Sequence, residues 1–181
     1  MFVQTKITPN PNALQFLPGK KVSNSGPYEI TSKDDFENEL VRNILSINGV
    51  VGIFLGKDFI SVNKNDKVKW DEIKHIVISL INDFYADGKE FVVDENIIKD
   101  DVTKLSEIEE KIVKILEEKI RPAVARDGGD IKFKEFKDGI VKVQLQGSCS
   151  GCPSSTMTLK NGVQNLLCHY LPEVKEVVAI Q

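Results

Sequence analysis

Apolar and polar positions alternate over Phe2-Val3-Gln4-Thr5-Lys6-Ile7, and a short apolar run follows from Ala13 to Leu17. The pattern predicts two paired strands joined by the turn-prone Pro9-Asn10-Pro11-Asn12. Ser32 is placed to cap a helix running through Phe36, Leu40, Ile44 and Leu45, with acids in its first turn. Val50 to Leu55 and Phe59 to Val62 predict a hairpin around Gly56-Lys57-Asp58. A second helix, roughly Lys69 to Tyr85, carries an apolar stripe that includes Trp70, Ile73, Val77, Leu80, Ile81 and Phe84, and it ends at Asp87-Gly88. Glu90 to Val93 reads as a closing strand.

Asp94 to Leu105 breaks both periodicities, carries an acidic cluster and reads as an interdomain linker. Ser106 followed by Glu109 is a capping box, opening a helix with Ile108, Ile112, Ile115 and Leu116 inward; Pro122 is expected to stop or kink it. Asp127-Gly128-Gly129-Asp130 predicts a sharp turn, and strands Ile131 to Phe136 and Ile140 to Gln146 hinge at Asp138-Gly139. A helix from Ser155 to Leu171 follows, then Pro172 and a final apolar strand, Val174 to Ile180. The expected fold class is α+β: two small mixed α/β domains, 1–93 and 106–181, separated by 94–105. The second reads helix–hairpin–helix–strand.

Charge removes one class of function. With net charge −3, a pI near 5.5 and lysines dispersed among acids, the chain has no electrostatic footprint for nucleic acid. No apolar run approaches the roughly 20 residues that span a bilayer. Met1 to Lys6 lacks the basic start and apolar core of a secretory signal and is not Arg-rich like a transit peptide, although a processed form looks the same. The expected address is the cytosol or an organelle matrix.

The chemistry concentrates in Gly147-Ser148-Cys149-Ser150-Gly151-Cys152-Pro153-Ser154-Ser155, between the second hairpin strand and the last long helix. Two cysteines three positions apart in a loop of small residues can turn their sulfurs toward one point, and the helix start that follows is expected to favour thiolate. Cys168 falls nearly opposite the helix stripe of Leu159, Val163, Leu166 and Tyr170, which points it toward solvent. In one helix it lies about 20 Å along the axis from the loop, too far for metal bonds of about 2.3 Å. His169 fails on the same ground, and one chain offers two ligands where a closed zinc site needs four. A dithiol oxidoreductase has the local strand–CxxC–helix context but too little chain after the motif for a thioredoxin-like fold. Two chains bringing one pair each supply the four thiolates of a 4Fe–4S cluster, and a zinc held between subunits fits the same spacing.

Those residues also carry a resemblance. Asp127-Gly128-Gly129-Asp130-Ile131, the cysteine stretch through Ser155, Thr158-Leu159-Lys160 and Tyr170-Leu171-Pro172-Glu173-Val174 resemble the C-terminal domain of the NifU-like (Nfu) iron–sulfur proteins. Thr8 to Phe16, Gly49 to Phe54 and Asp58 to Val62 resemble the N-terminal domain of that family. The resemblance implies a non-enzymatic carrier, and possibly a late assembly scaffold. As a dimer it would bind one 4Fe–4S cluster through Cys149 and Cys152 of each chain. Its implied partners are upstream cluster donors and apo iron–sulfur client proteins, in a bacterial cytoplasm or, for a matured form, an organelle matrix. A cluster-based iron or oxygen sensor is the remaining alternative.

Overall fold

The computed structural model describes residues 2–180 apart from 25, 35, 91, 94–104, 151 and 152, with backbone alone for 153–155. The expected linker thus falls almost wholly outside the described residues.

The first half is a five-stranded antiparallel sheet. Its strands are β1 (Gln4–Ile7), β2 (Ala13–Leu17), β3 (Tyr28–Ile30), β4 (Val50–Leu55) and β5 (Ile60–Lys64), in the spatial order β1-β2-β5-β4-β3. Helices α1 (Glu39–Leu45) and α2 (Trp70–Ala86) bury Leu40, Val41, Ile44, Val77 and Ile81 against Leu14, Phe16, Ile53, Leu55, Ile60 and Val62. Alternation sends those strand residues to one face. Gln15, Phe54 and Ser61, on the other face, are equally buried, at 3%, 1% and 0% exposure. A sheet buried on both faces needs a second layer, and the C-terminal half supplies it.

That half contains α3 (Glu107–Ile115), a π-helical turn (Leu116–Ile120), α4 (Arg121–Arg126), β6 (Gly129–Lys137), β7 (Ile140–Gly147), α5 (Pro153–Tyr170) and β8 (Glu176–Ile180). β6 and β7 form the expected hairpin, with Asp138 and Gly139 both at positive φ (53° and 86°), the geometry that a two-residue hairpin turn demands. β8 returns parallel to β7 after α5, a crossover that buries Val163 and Leu167 against Ile131, Val141, Val143 and Val177.

Local readings fail in several places. Ser32 does not cap α1: its hydroxyl accepts from the Asp34 N–H, while Asn38 caps by accepting from the N–H groups of Leu40 and Val41. Both side chains satisfy the cap preference, and Asn38 is the one next to the buried stripe. Pro122 does not stop its helix, because the wider turn at 116–120 precedes it and α4 continues with Pro near its first position, where no N–H is needed. Tyr28–Ile30 pairs with β4 although its sequence gave no strand signal, whereas Val93 makes only an isolated bridge to Ser23. The buried line runs through Val163 and Leu167 of α5 to Leu171 just beyond its end, leaving Tyr170 51% exposed and turning Cys168 half-inward onto the core.

Candidate functional site

β7 delivers the chain to the cysteine turn, and Gly147 makes the turn possible. Its φ of +67° is left-handed, and a Cβ there would come within 2.6 Å of the Gly128 carbonyl oxygen and 2.8 Å of the Phe54 ring. Ser150 closes the turn through its N–H and its hydroxyl, which donate to the Gly147 carbonyl at 3.1 and 2.8 Å. The Ser148 N–H donates to the Gly128 carbonyl at 3.1 Å, and its hydroxyl donates to the carbonyl of Asp127. From the far side, the Thr156 hydroxyl donates to the Cys149 carbonyl at 3.2 Å, tying the turn to α5.

Cys149 sits on this turn with its side chain folded inward, 8% exposed and packed with the C-terminal core. A Cβ on Gly129 would lie 2.6 Å from its sulfur, so glycine at 129 is what lets the thiol nest against β6. Burial pushes the thiol up to about 11, and the Asp127 and Asp130 charges add to the rise while the Ser148 hydroxyl opposes it. The helix start was expected to favour thiolate. In this conformation burial dominates instead and keeps Cys149 a neutral thiol. Cys152 and Gly151 lie outside the described residues. Cys168, on one continuous α5, stands far from the turn, and His75 and His169 are exposed, His169 against the Tyr170 ring.

The thiol adjoins two depressions. One, of about 680 Å³, runs between the π turn and α5 and is lined by Pro9, Lys119, Ile120, Cys149, Leu159 and Leu166. The other, about 340 Å³, opens between Glu29, Leu145, Cys149 and Ser150. Behind the site, Arg121 makes a two-pronged ion pair with buried Asp130, both bonds 2.9 Å, pinning α4 to the start of β6. A soft thiol beside open space, on a turn shaped by glycine, suits a bulky sulfur-seeking inorganic ligand better than a compact oxygen-ligated ion.

Three residues that sequence reasoning gave no functional part grip the turn from the other half. The Asn10 amide donates to the Ser148 and Ser150 carbonyls at 3.1 and 3.2 Å, and the Asn63 amide to the Gly147 carbonyl at 3.2 Å. The Glu29 carboxylate accepts from the Gly147 N–H at 3.0 Å and the Ser150 hydroxyl at 3.2 Å. The available signal was the alternation of polar residues (Gln15, Ser61, Asn63) with core residues in strands that bury both faces.

Residues 3–88 match the family model described as the N-terminal part of the scaffold protein Nfu/NifU, and residues 112–178 match that of the NifU-like domain. The chain belongs to the Nfu family of NifU-like proteins. It is 44% identical to the mitochondrial NifU-like protein 4 of Arabidopsis thaliana, with 98% of this chain and 65% of that protein aligned. It is 43% identical to the human mitochondrial NFU1 iron-sulfur cluster scaffold homolog, over 98% of this chain and 71% of that protein. The chain thus spans about two thirds of the length of these relatives. A solution structure of a NifU-like protein from Saccharomyces cerevisiae aligns with 51% of this chain and 83% of its own, at 31% identity and a TM-score of 0.46.

Proposed function

We propose that this chain is an iron–sulfur cluster carrier, working by ligand exchange rather than by turnover. Its cargo is a 4Fe–4S cluster held between two subunits by Cys149 and Cys152 of each, received from upstream donors and passed to apo iron–sulfur client proteins. One observation carries the reading: Cys149 stands on a glycine-shaped turn between β7 and α5, beside open space, in a chain of the Nfu family. Each chain brings two thiols to the turn, so a four-thiolate cargo calls for a second copy. The exchange chemistry is simple: each incoming client thiolate takes an iron as one carrier thiolate leaves it, with no net redox change.

The functional division is residues 1–93, 94–105 and 106–181, with the cargo on the last. Among the described residues no helix is long and apolar enough to cross a membrane. The mitochondrial names of the relatives favour an organelle matrix over a bacterial cytoplasm. The test is anaerobic reconstitution with iron and sulfide, followed by Mössbauer spectroscopy, metal and sulfide quantification, and mass in solution. About four iron and four sulfide per two chains, in a dimer that appears only on loading, is the expected result. A colourless protein that retains zinc, or a reversible disulfide with no metal, overturns the reading.

A further inference from the structure

The geometry points to a role for the N-terminal half as a receptor for the empty cysteine turn: Asn10, Glu29 and Asn63 clamp Gly147–Ser150 with Cys149 folded inward, and the clamp must lift before two copies can share a cargo. The inference rests on the carrier reading for its consequence, though the clamp itself is a matter of contacts. Five of its bonds are those given above, four of them to the turn's own backbone and the fifth to the Ser150 hydroxyl. It therefore recognises the conformation of the turn rather than its side chains. A cluster that bridges two chains needs its thiolates on an exposed seam, and a sulfur on a residue only 8% exposed is not on one.

Charge points the same way. A four-thiolate iron–sulfur cargo is an anion, and the Gly147 N–H and Ser150 hydroxyl are donors suited to it. In the docked arrangement a carboxylate, Glu29, already takes the Gly147 N–H at 3.0 Å and shares the Ser150 hydroxyl, at 3.2 Å, with the Gly147 carbonyl at 2.8 Å. Glu29 acts as an internal stand-in for negative charge, and a loaded turn would place two like charges side by side.

The interface is also built to open. Beneath the clamp, Gln15 Oε1, Ser61 Oγ, Asn63 Oδ1 and Gln146 Oε1 are buried and accept or donate no hydrogen bond among the described residues. Ser61 lies against Gly128, and Lys6 reaches the Arg126 carbonyl. Such a contact face is polar and incompletely paired, so each group regains hydrogen bonds with water when the halves part.

The experiment uses the full apo chain in a Cys152→Ser, Cys168→Ser background, so that alkylation reads Cys149 alone. Rates are compared for the parent, Glu29→Gln, and the triple variant Asn10→Ala, Glu29→Ala, Asn63→Ala, with far-UV melting as the check on folding. The inference expects the triple variant to be alkylated at least about tenfold faster at an unchanged melting temperature, and Glu29→Gln to fall between. Equal rates in folded variants overturn it, as does a parent thiol that already reacts like one in the unfolded chain. If the triple variant fails to fold, Glu29→Gln decides alone, and no acceleration there sinks the idea. Reconstitution of the same substitutions in the native cysteine background should load at lower iron and sulfide than the native chain. If no form, the native chain included, takes up a cluster, the carrier reading falls while alkylation still judges the clamp.

Discussion

The two halves spend their hydrophobic residues differently. The N-terminal half packs Phe16, Ile53, Leu55 and Ile60 of its sheet and Ile81 of α2 at essentially zero exposure, with two helices over one face of the sheet and no cysteine anywhere. The smaller C-terminal core, around Ile112, Leu116, Ile131 and Leu167, includes the thiol of Cys149, the proposed cluster ligand, among its members. One half packs only hydrocarbon and aromatic side chains in its core; the other holds a thiol inside its own packing. A thiol in the core is protected from oxidation and is unavailable until the turn moves. The contacts divide accordingly: the N-terminal half presents Asn10, Glu29 and Asn63, and the cysteine turn rests against them.

Substitutions test this contrast, starting from the largest effect. Cys149→Ala or Cys152→Ala should abolish cluster binding on reconstitution while the fold persists, at a cost of about 1 kcal/mol for the small void at 149. Cluster retained by the Cys149→Ala protein would remove the turn from the site. Cys168→Ala, half-buried on α5, should leave loading unchanged.

Gly147→Ala attacks the turn through its backbone. A side chain at φ +67° against the Gly128 carbonyl and Phe54 should destabilise the chain by about 2–4 kcal/mol in urea unfolding. Gly88→Ala is the control, because it shares a positive φ of 80° and meets nothing within 4 Å. If the two cost the same, the close approach of Gly128 and Phe54 is not what requires glycine at 147.

Arg121→Met leaves Asp130, whose side chain is only 7% exposed, without its two-pronged partner and should cost about 2–3 kcal/mol. Asp130→Asn together with Arg121→Met should recover part of the loss, since the stranded charge is gone. Denaturant titration that finds Arg121→Met as stable as the native chain would show the pair to be dispensable, and an equal loss in the single and double variants would show that the stranded charge is not the cause.

The smallest effect belongs to the N-terminal half and is seen only at high pH. Burial pushes the Tyr85 phenol, which donates to the Lys21 carbonyl at 2.9 Å, up to about 12 from its usual 10. The folded state thus binds this proton more tightly than the unfolded chain does. The stability it contributes is whole below pH 10 and is lost as pH rises from 10 toward about 12. Absorbance titration should show a late phenolate, at about 12, that disappears in Tyr85→Phe. A titration curve that the substitution leaves unchanged in its late part would contradict it.

Much of the fold was legible because its signals are local. The Asp138-Gly139 hairpin, the helix over 70–86 and the Ser106–Glu109 cap, where the Ser106 N–H and hydroxyl both meet the Glu109 carboxylate, each depend on residues a few positions apart. The phase of α5 was not legible, because Val163, Leu166, Leu167, Tyr170 and Leu171 allow two overlapping apolar stripes. Packing against β7 and β8 chose the one through Val163 and Leu167. β3 was missed for a related reason: Tyr28-Glu29-Ile30 is only three residues long, too short for alternation to register, and it is held by pairing with β4, a partner more than twenty positions away.

The sequence by itself determined that two cysteines share a small-residue turn between a strand and a helix, since spacing and neighbours along the chain settle that arrangement. Tertiary structure alone decided which way Cys149 faces and what lies over it. Asn10 reaches Ser148 across 138 positions and Glu29 reaches Gly147 across 118, and no local pattern encodes such contacts. They arise because a sheet with one face under helices still has a second face to cover, and the polar side chains on it find partners in the exposed backbone of the cysteine turn.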